Sequence, residues 1–360
     1  MRDHWQKKPL LIRQAFPGFV PPLSVREVLE LARRDEAESR LVTRQGSKWT
    51  LDHGPFPSAA QKRFPARDWT ILVQDIQHFS FEAKALLQQF DFIPHARVDD
   101  VMVSLAAPGG GVGPHFDSYD VFLLQGKGRR RWRISAQEDL RLKPGVPLKI
   151  LKQFKPEQEW VLEPGDMLYL PPGFAHDGVA LDECLTFSIG FRAPAYDELQ
   201  AGFLDHLRDT LAPEGQYCDP QLAATERPGA IPASMLRELK GVLRAIRWDD
   251  GAMDEFLGRF LSEPKSNVFF DPPDKPLSPA RFAATCRSRG VLLDARTRCL
   301  YSGTRIFMNG EVYNLPKAEA GQLQTLADRQ KIGPCEPGRQ AMNILYGWYR
   351  AGYLHLNERP

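Results

Sequence analysis

Long apolar runs are missing from this 360-residue chain. No stretch approaches the roughly 20 residues that a membrane-spanning helix needs. The opening segment MRDHWQKKPLLIRQAFPGF has only a short apolar patch, broken by Arg13 and Pro17, and does not read as a signal peptide. A cytoplasmic protein with no membrane partner is the expectation. Cysteine pairs are missing too. The five cysteines, Cys184, Cys218, Cys286, Cys299 and Cys335, are scattered with no Cys-x-x-Cys spacing, which argues against a disulfide framework and a structural zinc site. A dominant charge is also absent: Lys+Arg 47 against Asp+Glu 45 leaves +2, so the chain as a whole is not an obvious polyanion binder. Proline is plentiful, with 30 residues placed mostly at turns and joints.

Residues 24–36, SVREVLELARRDE, begin with a capping serine and repeat apolar residues at helical spacing. Beyond residue 40 come six short apolar runs bounded by Gly and Pro: WTILVQDI, DVMVSLAA, DVFLLQG, RRRWRIS, EWVLEPGDMLYLPPGF and LTFSIGFRAP. They predict an antiparallel barrel or jelly roll over residues 1–194. From Pro194 the spacing turns helical in AYDELQAGFLDHLRDTLA, SMLRELKGVLRAIRW and MDEFLGRFLSEP. These apolar stripes exceed what three separate helices bury among themselves, so residues 195–264 are expected to pair with a second copy as a homodimer. Residues 265–360 read as helices around short strands, with a hairpin turn at Asn309-Gly310. The predicted fold class is α+β: a barrel, a helical dimerisation block and a small winged-helix-like C-terminal domain.

The chemistry concentrates in GGGVGPHFDSYDVFLLQGKGRRRWRI. Read as a strand, this segment projects His115 and Asp117 from one face, because residues two apart share a side. Two such ligands leave a metal under-coordinated. The third candidate is His176, presented after the Pro-Pro-Gly bend of EPGDMLYLPPGFAHDG. Two histidines and a carboxylate with the opposite face open are the ligand set of non-haem Fe(II) oxygenases, whereas a closed site would leave no room for substrates.

Along RRRWRI, Arg130 shares a face with Trp132 and Ile134, which places its guanidinium inside. A buried guanidinium needs a carboxylate. That carboxylate belongs either to the protein or to a small dicarboxylic co-substrate held bidentately. In DDVMVSLAA, Asp100, Met102 and Ser104 share one face. This face either lines the site or is the exposed polar side of an edge strand.

The long stretch GPHFDSYDVFLLQGKGRRRWRI, together with LEPGDMLYLPPGFAHDG, closely resembles the bacterial ribosomal oxygenases. These are cupin-type, JmjC-related enzymes with a double-stranded β-helix barrel. They use Fe(II) and 2-oxoglutarate to hydroxylate an arginine of a large-subunit ribosomal protein. The likeness runs from HWQKKPLLIRQAFP through GFRAP into the helical block and the tail. It implies iron ligands at His115, Asp117 and His176, and 2-oxoglutarate contacts at Arg130 and Ser104. It further implies a substrate-arginine pocket at Asp100, Met102, Tyr119 and Ser188.

Three other readings compete. Relatives that modify a histidine share the same iron chemistry. A small-molecule cupin enzyme would leave Arg130 unexplained and the last two blocks without a role. A regulatory protein with a nucleic-acid-binding tail would use residues 265–360. There, 14 Lys+Arg against 8 Asp+Glu give +6, with no arginine cluster marking a recognition helix. Direct nucleic-acid binding is therefore not expected, and the tail reads as a docking or structural domain.

Overall fold

A computed structural model describes residues 1–211 and 214–357. They form two compact units, residues 1–193 and the residues from 194 onward. The first contains eleven strands, β1 (Leu10–Ile12), β2 (Ser39–Gln45), β3 (Lys48–His53), β4 (Trp69–Val73), β5 (Val98–Ala106), β6 (Asp120–Lys127), β7 (Arg130–Ser135), β8 (Gln158–Leu162), β9 (Met167–Leu170), β10 (Ala175–Ala180) and β11 (Cys184–Phe191). Eight make one antiparallel sheet in the order β1-β9-β6-β11-β5-β4-β2-β3, and three make a second in the order β10-β7-β8.

Alternation along the strands explains the layers. Val101, Val103 and Leu105 of β5 are at most 1% exposed and enter a core with Val28, Leu31, Ala83 and Leu86. Those four come from helices α1 (Val25–Leu31) and α3 (Phe81–Gln88); between the two lies the short α2 (Ser58–Gln61). Ser24 caps α1 in a full capping box with Glu27, and Ser80 caps α3, so both helices begin where their side chains satisfy free N–H groups. The opposite face of the large sheet meets the small one. Val121, Leu123, Leu168 and Leu170 pack there with Trp132, Ile134 and Leu162. This inter-sheet layer is the barrel interior.

Several sequence expectations change. His115 and Asp117 are not on a strand: β6 begins at Asp120, and residues 111–119 run as a loop joined to β10 by one bridge, His115 to His176. The glycines explain this. A Cβ on Gly111 would lie 2.4 Å from the Gly178 carbonyl oxygen, and Gly113 holds φ +79°, a region that L side chains avoid. His176 sits inside β10, after the Pro-Pro-Gly bend. β5 lies between β11 and β4, so its Asp100 face is no exposed edge. The strands β1, β2, β3 and β10 fell outside the six runs because they are short or carry charged and small residues (SRLVTRQ, KWTLDH, AHDGVA).

The second unit contains helices α4 (Tyr196–Thr210), α5 (Ala233–Arg244), α6 (Asp250–Ser262), α7 (Pro279–Arg289), α8 (Lys317–Arg329) and α9 (Arg339–Arg350). Its strands are β12 (Val291–Leu293), β13 (Cys299–Ser302), β14 (Arg305–Met308), β15 (Glu311–Asn314), β16 (Lys331–Ile332) and β17 (Leu354–Leu356). They form two three-stranded sheets, β16-β12-β17 and β13-β14-β15. Asn309 and Gly310 both take positive φ, 51° and 85°, between Met308 and Glu311 paired across β14 and β15. This is the geometry a two-residue hairpin turn requires. Helix α6 packs on the β13-β14-β15 sheet.

A Cβ at Gly178 would lie 2.6 Å from the Trp132 ring. Gly178→Ala is expected to destabilise the barrel by about 1–3 kcal/mol, read as a lower denaturation midpoint at unchanged slope.

Candidate metal centre

The loop and β10 exchange two main-chain hydrogen bonds. His115 N–H donates to the His176 carbonyl at 2.9 Å, and His176 N–H donates back at 2.8 Å. The Pro-Pro-Gly bend adds a third bond, Gly173 N–H to the Asp117 carbonyl at 2.8 Å. The three side chains are thereby brought together. The histidine rings lie 4.2 Å apart between centroids, Asp117 Oδ2 is 3.6 Å from His176 Nε2, and one ligand atom from each residue lies within 4.8 Å of the others.

The backbone also sets the histidine tautomers. Nδ1 of His115 lies 2.9 Å from the Gly113 carbonyl, and Nδ1 of His176 lies 2.9 Å from the Phe174 carbonyl. A carbonyl only accepts, so each Nδ1 carries the proton and each Nε2 keeps a lone pair for a ligand. Burial, and then the neighbouring His115, push the pKa of His176 down to about 4. At neutral pH its imidazole is uncharged, as a metal requires. The donor set of two imidazoles and one carboxylate suits a divalent first-row metal with an open face.

Arg130 is 5% exposed. Its Nε and one terminal nitrogen have no hydrogen-bond partner among the described residues, and it forms no ion pair there. Its guanidinium lies over the Trp132 ring at 5.7 Å, and Trp132 in turn lies 5.9 Å from the His176 ring. A buried cation left this way is costly, and a carboxylate from outside the protein would satisfy it. The expected co-substrate therefore fits on a property of this chain. The flanking arginines point elsewhere: Arg129 pairs with Asp182, and Arg133 pairs with Asp177.

The remaining expected residues line the large sheet's inner face. Ser104 is buried opposite Thr186 and donates to the Thr186 carbonyl at 3.5 Å. Met102 is half-buried opposite Ser188. Asp100 is 7% exposed. Tyr119 stands in the bend just before β6; burial, then the carboxylates of Asp117 and Asp100, raise its phenol far above the ordinary value. It therefore stays a hydroxyl donor at neutral pH.

Two inward residues escaped the sequence reading. Gly190 sits at a β11 irregularity, and a Cβ there would come within 3.2 Å of Asp100 Oδ1 and 3.8 Å of the Tyr119 ring. Arg40 of β2 lies in register with Leu72, which pairs with Ser104; its Nε is buried without a hydrogen-bond partner among the described residues. Only cross-strand register connects Arg40 to the site, so local spacing held no signal for it.

Two facing antiparallel sheets with a two-histidine, one-carboxylate cluster between them define a cupin-type metal centre. Residues 85–199 match the JmjC domain family and residues 245–355 the ROXA-like winged helix family. Residues 156–256 also match the AraC-like ligand binding domain family, a span that takes in β8–β11 and continues past the barrel. The chain is 36% identical over 324 residues to the ribosomal protein uL16 3-hydroxylase of Escherichia coli, covering 89% of this chain and 86% of that one. It is 32% identical to a probable ribosomal oxygenase of Haemophilus influenzae, over 92% of this chain and 86% of the relative. The fold superposes with TM-score 0.83 and 32% identity on YcfD, a ribosomal oxygenase from E. coli, in complex with cobalt and 2-oxoglutarate. That match covers 98% of this chain and 96% of that one. The chain belongs to the JmjC-domain ribosomal oxygenase family.

Anaerobic titration with Fe(II), or titration with Co(II) as stand-in, is expected to show one tight site per chain. Asp117→Ala and His176→Ala should each weaken it by at least about tenfold with the circular dichroism spectrum unchanged.

Proposed function

We propose that this protein is an Fe(II)- and 2-oxoglutarate-dependent oxygenase that hydroxylates an arginine side chain of a large-subunit ribosomal protein. The observation that carries the reading is the buried Arg130, on the same sheet as His176, whose Nε and one terminal nitrogen have no hydrogen-bond partner among the described residues. His176 pairs with Ile134 and Ala180 with Arg130, so the two positions are four strand residues apart, about 13 Å. A reaching arginine side chain and a five-carbon diacid together bridge that span. The relatives support the rest: one is named for ribosomal protein uL16 hydroxylation, and a related structure holds cobalt with 2-oxoglutarate.

In this reading His115, Asp117 and His176 hold the iron. Arg130 anchors the far carboxylate of 2-oxoglutarate, and Ser104 offers a hydroxyl beside it. The bound metal and co-substrate supply the oxidation, in which one oxygen atom of dioxygen goes into a substrate C–H bond and the co-substrate leaves as succinate and carbon dioxide. The protein itself does positioning. Trp132 packs beside His176 and excludes water from that side. Asp100 receives the substrate guanidinium, a permanent cation that gains a charge-assisted pair where a neutral histidine would gain little. Met102 and Tyr119 flank its aliphatic stem, with Ser188 opposite Met102. The setting is the bacterial cytoplasm.

The barrel spans residues 1–194, the helical block 195–264 and the winged-helix-like tail 265–360. We assign the helical block to homodimerisation. Helix α5 has no buried residue, and Leu236, Leu239, Val242, Leu243, Ile246 and Trp248 are all exposed. A second copy laid on this stripe would remove six large apolar side chains from water, a gain on the order of 1.5–3 kcal/mol for each one fully buried. The tail serves docking.

Arg130→Ala should raise the 2-oxoglutarate KM at least about tenfold, the loss expected of a charge-assisted pair, while Co(II) affinity stays. Asp100→Lys should keep uncoupled 2-oxoglutarate turnover and lose hydroxylation of the ribosomal target, read by mass spectrometry. Unchanged arginine hydroxylation would remove Asp100 from the specificity role. A wild type active only on histidine peptides would overturn the substrate. Light scattering at micromolar concentration is expected to give a dimer mass, and Leu239→Glu/Leu243→Glu a monomer mass.

A further inference from the structure

Between β7 and β8 the chain makes an excursion that neither the metal centre nor its lining uses. Residues 140–156 (LRLKPGVPLKILKQFKP) carry five cations, Arg141, Lys143, Lys149, Lys152 and Lys155, and no carboxylate at all. All five are exposed. Arg141 is held by Asp139 at 2.7 Å, whereas none of the four lysines forms an ion pair among the described residues. Acids stand only at the ends of the excursion, Glu138 and Asp139 before it and Glu157 and Glu159 after it, and Asp139 is taken up by Arg141, so the stretch between carries one sign.

The segment is ordered. Gln137 closes its base, donating to the Asp139 and Gln153 carbonyls and accepting from Lys155 N–H. Leu142 and Leu151 form a β-bridge, flanked by Lys143 N–H to the Ile150 carbonyl and Lys152 N–H to the Arg141 carbonyl. Arg141 and Lys152 thus stand opposite each other, and Asp139, paired with Arg141, offsets part of this like-charge placement. The segment is also fastened to the metal loop. Leu151 N–H donates to the Pro114 carbonyl at 2.8 Å, one residue before His115. Ile150 packs where a Cβ on Gly113 would lie 3.1 Å away.

We propose that residues 140–156 form an RNA-binding rim beside the cleft, one that grips phosphates so that the substrate protein is met together with its RNA. The choice of RNA over another polyanion rests on the ribosomal substrate proposed above. A cationic rim repels a cationic arginine segment presented alone. The same rim attracts that segment when an RNA backbone comes with it. The lysine ammonium groups suit phosphates as mobile point charges, giving sequence-independent affinity. The proposal departs from the sequence expectation against nucleic acid, which weighed the tail and the whole-chain balance and not this stretch of the barrel.

The test uses the full chain with Co(II) bound and a fluorescein-labelled single-stranded RNA 20-mer, followed by anisotropy. Four phosphate contacts predict binding that weakens roughly fiftyfold between 50 and 200 mM KCl. The variant Lys143→Glu/Lys149→Glu/Lys152→Glu/Lys155→Glu should bind at least about tenfold more weakly, yet hydroxylate a short arginine peptide no more slowly than wild type, because the repulsion of a free cationic segment is gone, which certifies its fold. Wild type should hydroxylate the ribosomal protein faster in complex with an RNA fragment than free, and the variant should lose that preference. Absent RNA binding at 50 mM KCl, equal binding by the variant, no preference for the complex, or equal competition by poly-glutamate or anionic vesicles each overturns the rim. Failure of the enzyme reading is distinct: RNA binds, and no form of the target is hydroxylated.

Discussion

The active centre depends on two main-chain hydrogen bonds between His115 and His176. They form an isolated bridge that locks a loop outside both sheets to β10, beyond the pair of bonds between Gly109, Gly110 and Ala180. Two imidazoles are thereby held at one place by backbone, without waiting for a metal to gather them. Each ring is then turned by a second bond from Nδ1 to a carbonyl two residues earlier in its own chain. The two Nε2 atoms are thus set in place by rigid neighbours, which would lower the ordering cost of binding an ion there. The close approach that permits this needs the bare backbone of Gly111 against Gly178. Structure and chemistry meet in those glycines.

Around this lock the barrel interior is arranged by charge. Arg130 lies on the small sheet and Arg40 on the large one, each with at least one buried nitrogen that has no hydrogen-bond partner among the described residues. Asp117 and Asp100 occupy the same inner space, close enough to add to burial in raising the Tyr119 phenol. A folded protein tolerates such burial only when something else is recovered. Ordinary core packing does the compensating here: the outer face of the large sheet is covered by α1 and α3 in a continuous apolar cluster. The inner face is thereby left available for polar chemistry. This division of faces also explains why β5 can carry Val101, Val103 and Leu105 on one side and Asp100, Met102 and Ser104 on the other in the middle of a sheet.

The exposed surfaces follow the same logic at larger scale. Helix α5 holds its apolar stripe outside any core of its own chain, and residues 140–156 hold lysines beside no acid of their own segment. One is unsatisfied apolar area and the other unsatisfied charge. The two proposed partners, another copy for the first and an RNA for the second, answer different shortfalls.

Much of this was legible before any fold was known. His115, Asp117 and His176 stood out because glycine and proline punctuate the chain just before each motif, and such residues leave local marks. The inward side of Arg130 was legible from the two-residue period it shares with Trp132 and Ile134. The Asn309-Gly310 turn needed only its own two residues. The loop character of residues 111–119 was not legible, because alternation alone cannot separate a strand from an extended loop that bonds through a single bridge. Arg40 and Gly190 were invisible for another reason: their relation to Ser104, Asp100 and Tyr119 runs across strands distant in sequence. The lysines of residues 140–156 were visible as a count but not as a place. Composition and period thus determined which residue types face inward and which motifs could hold a metal. Only tertiary structure decided what stands beside what, since cross-strand register and loop-to-strand hydrogen bonds join residues that share no local pattern.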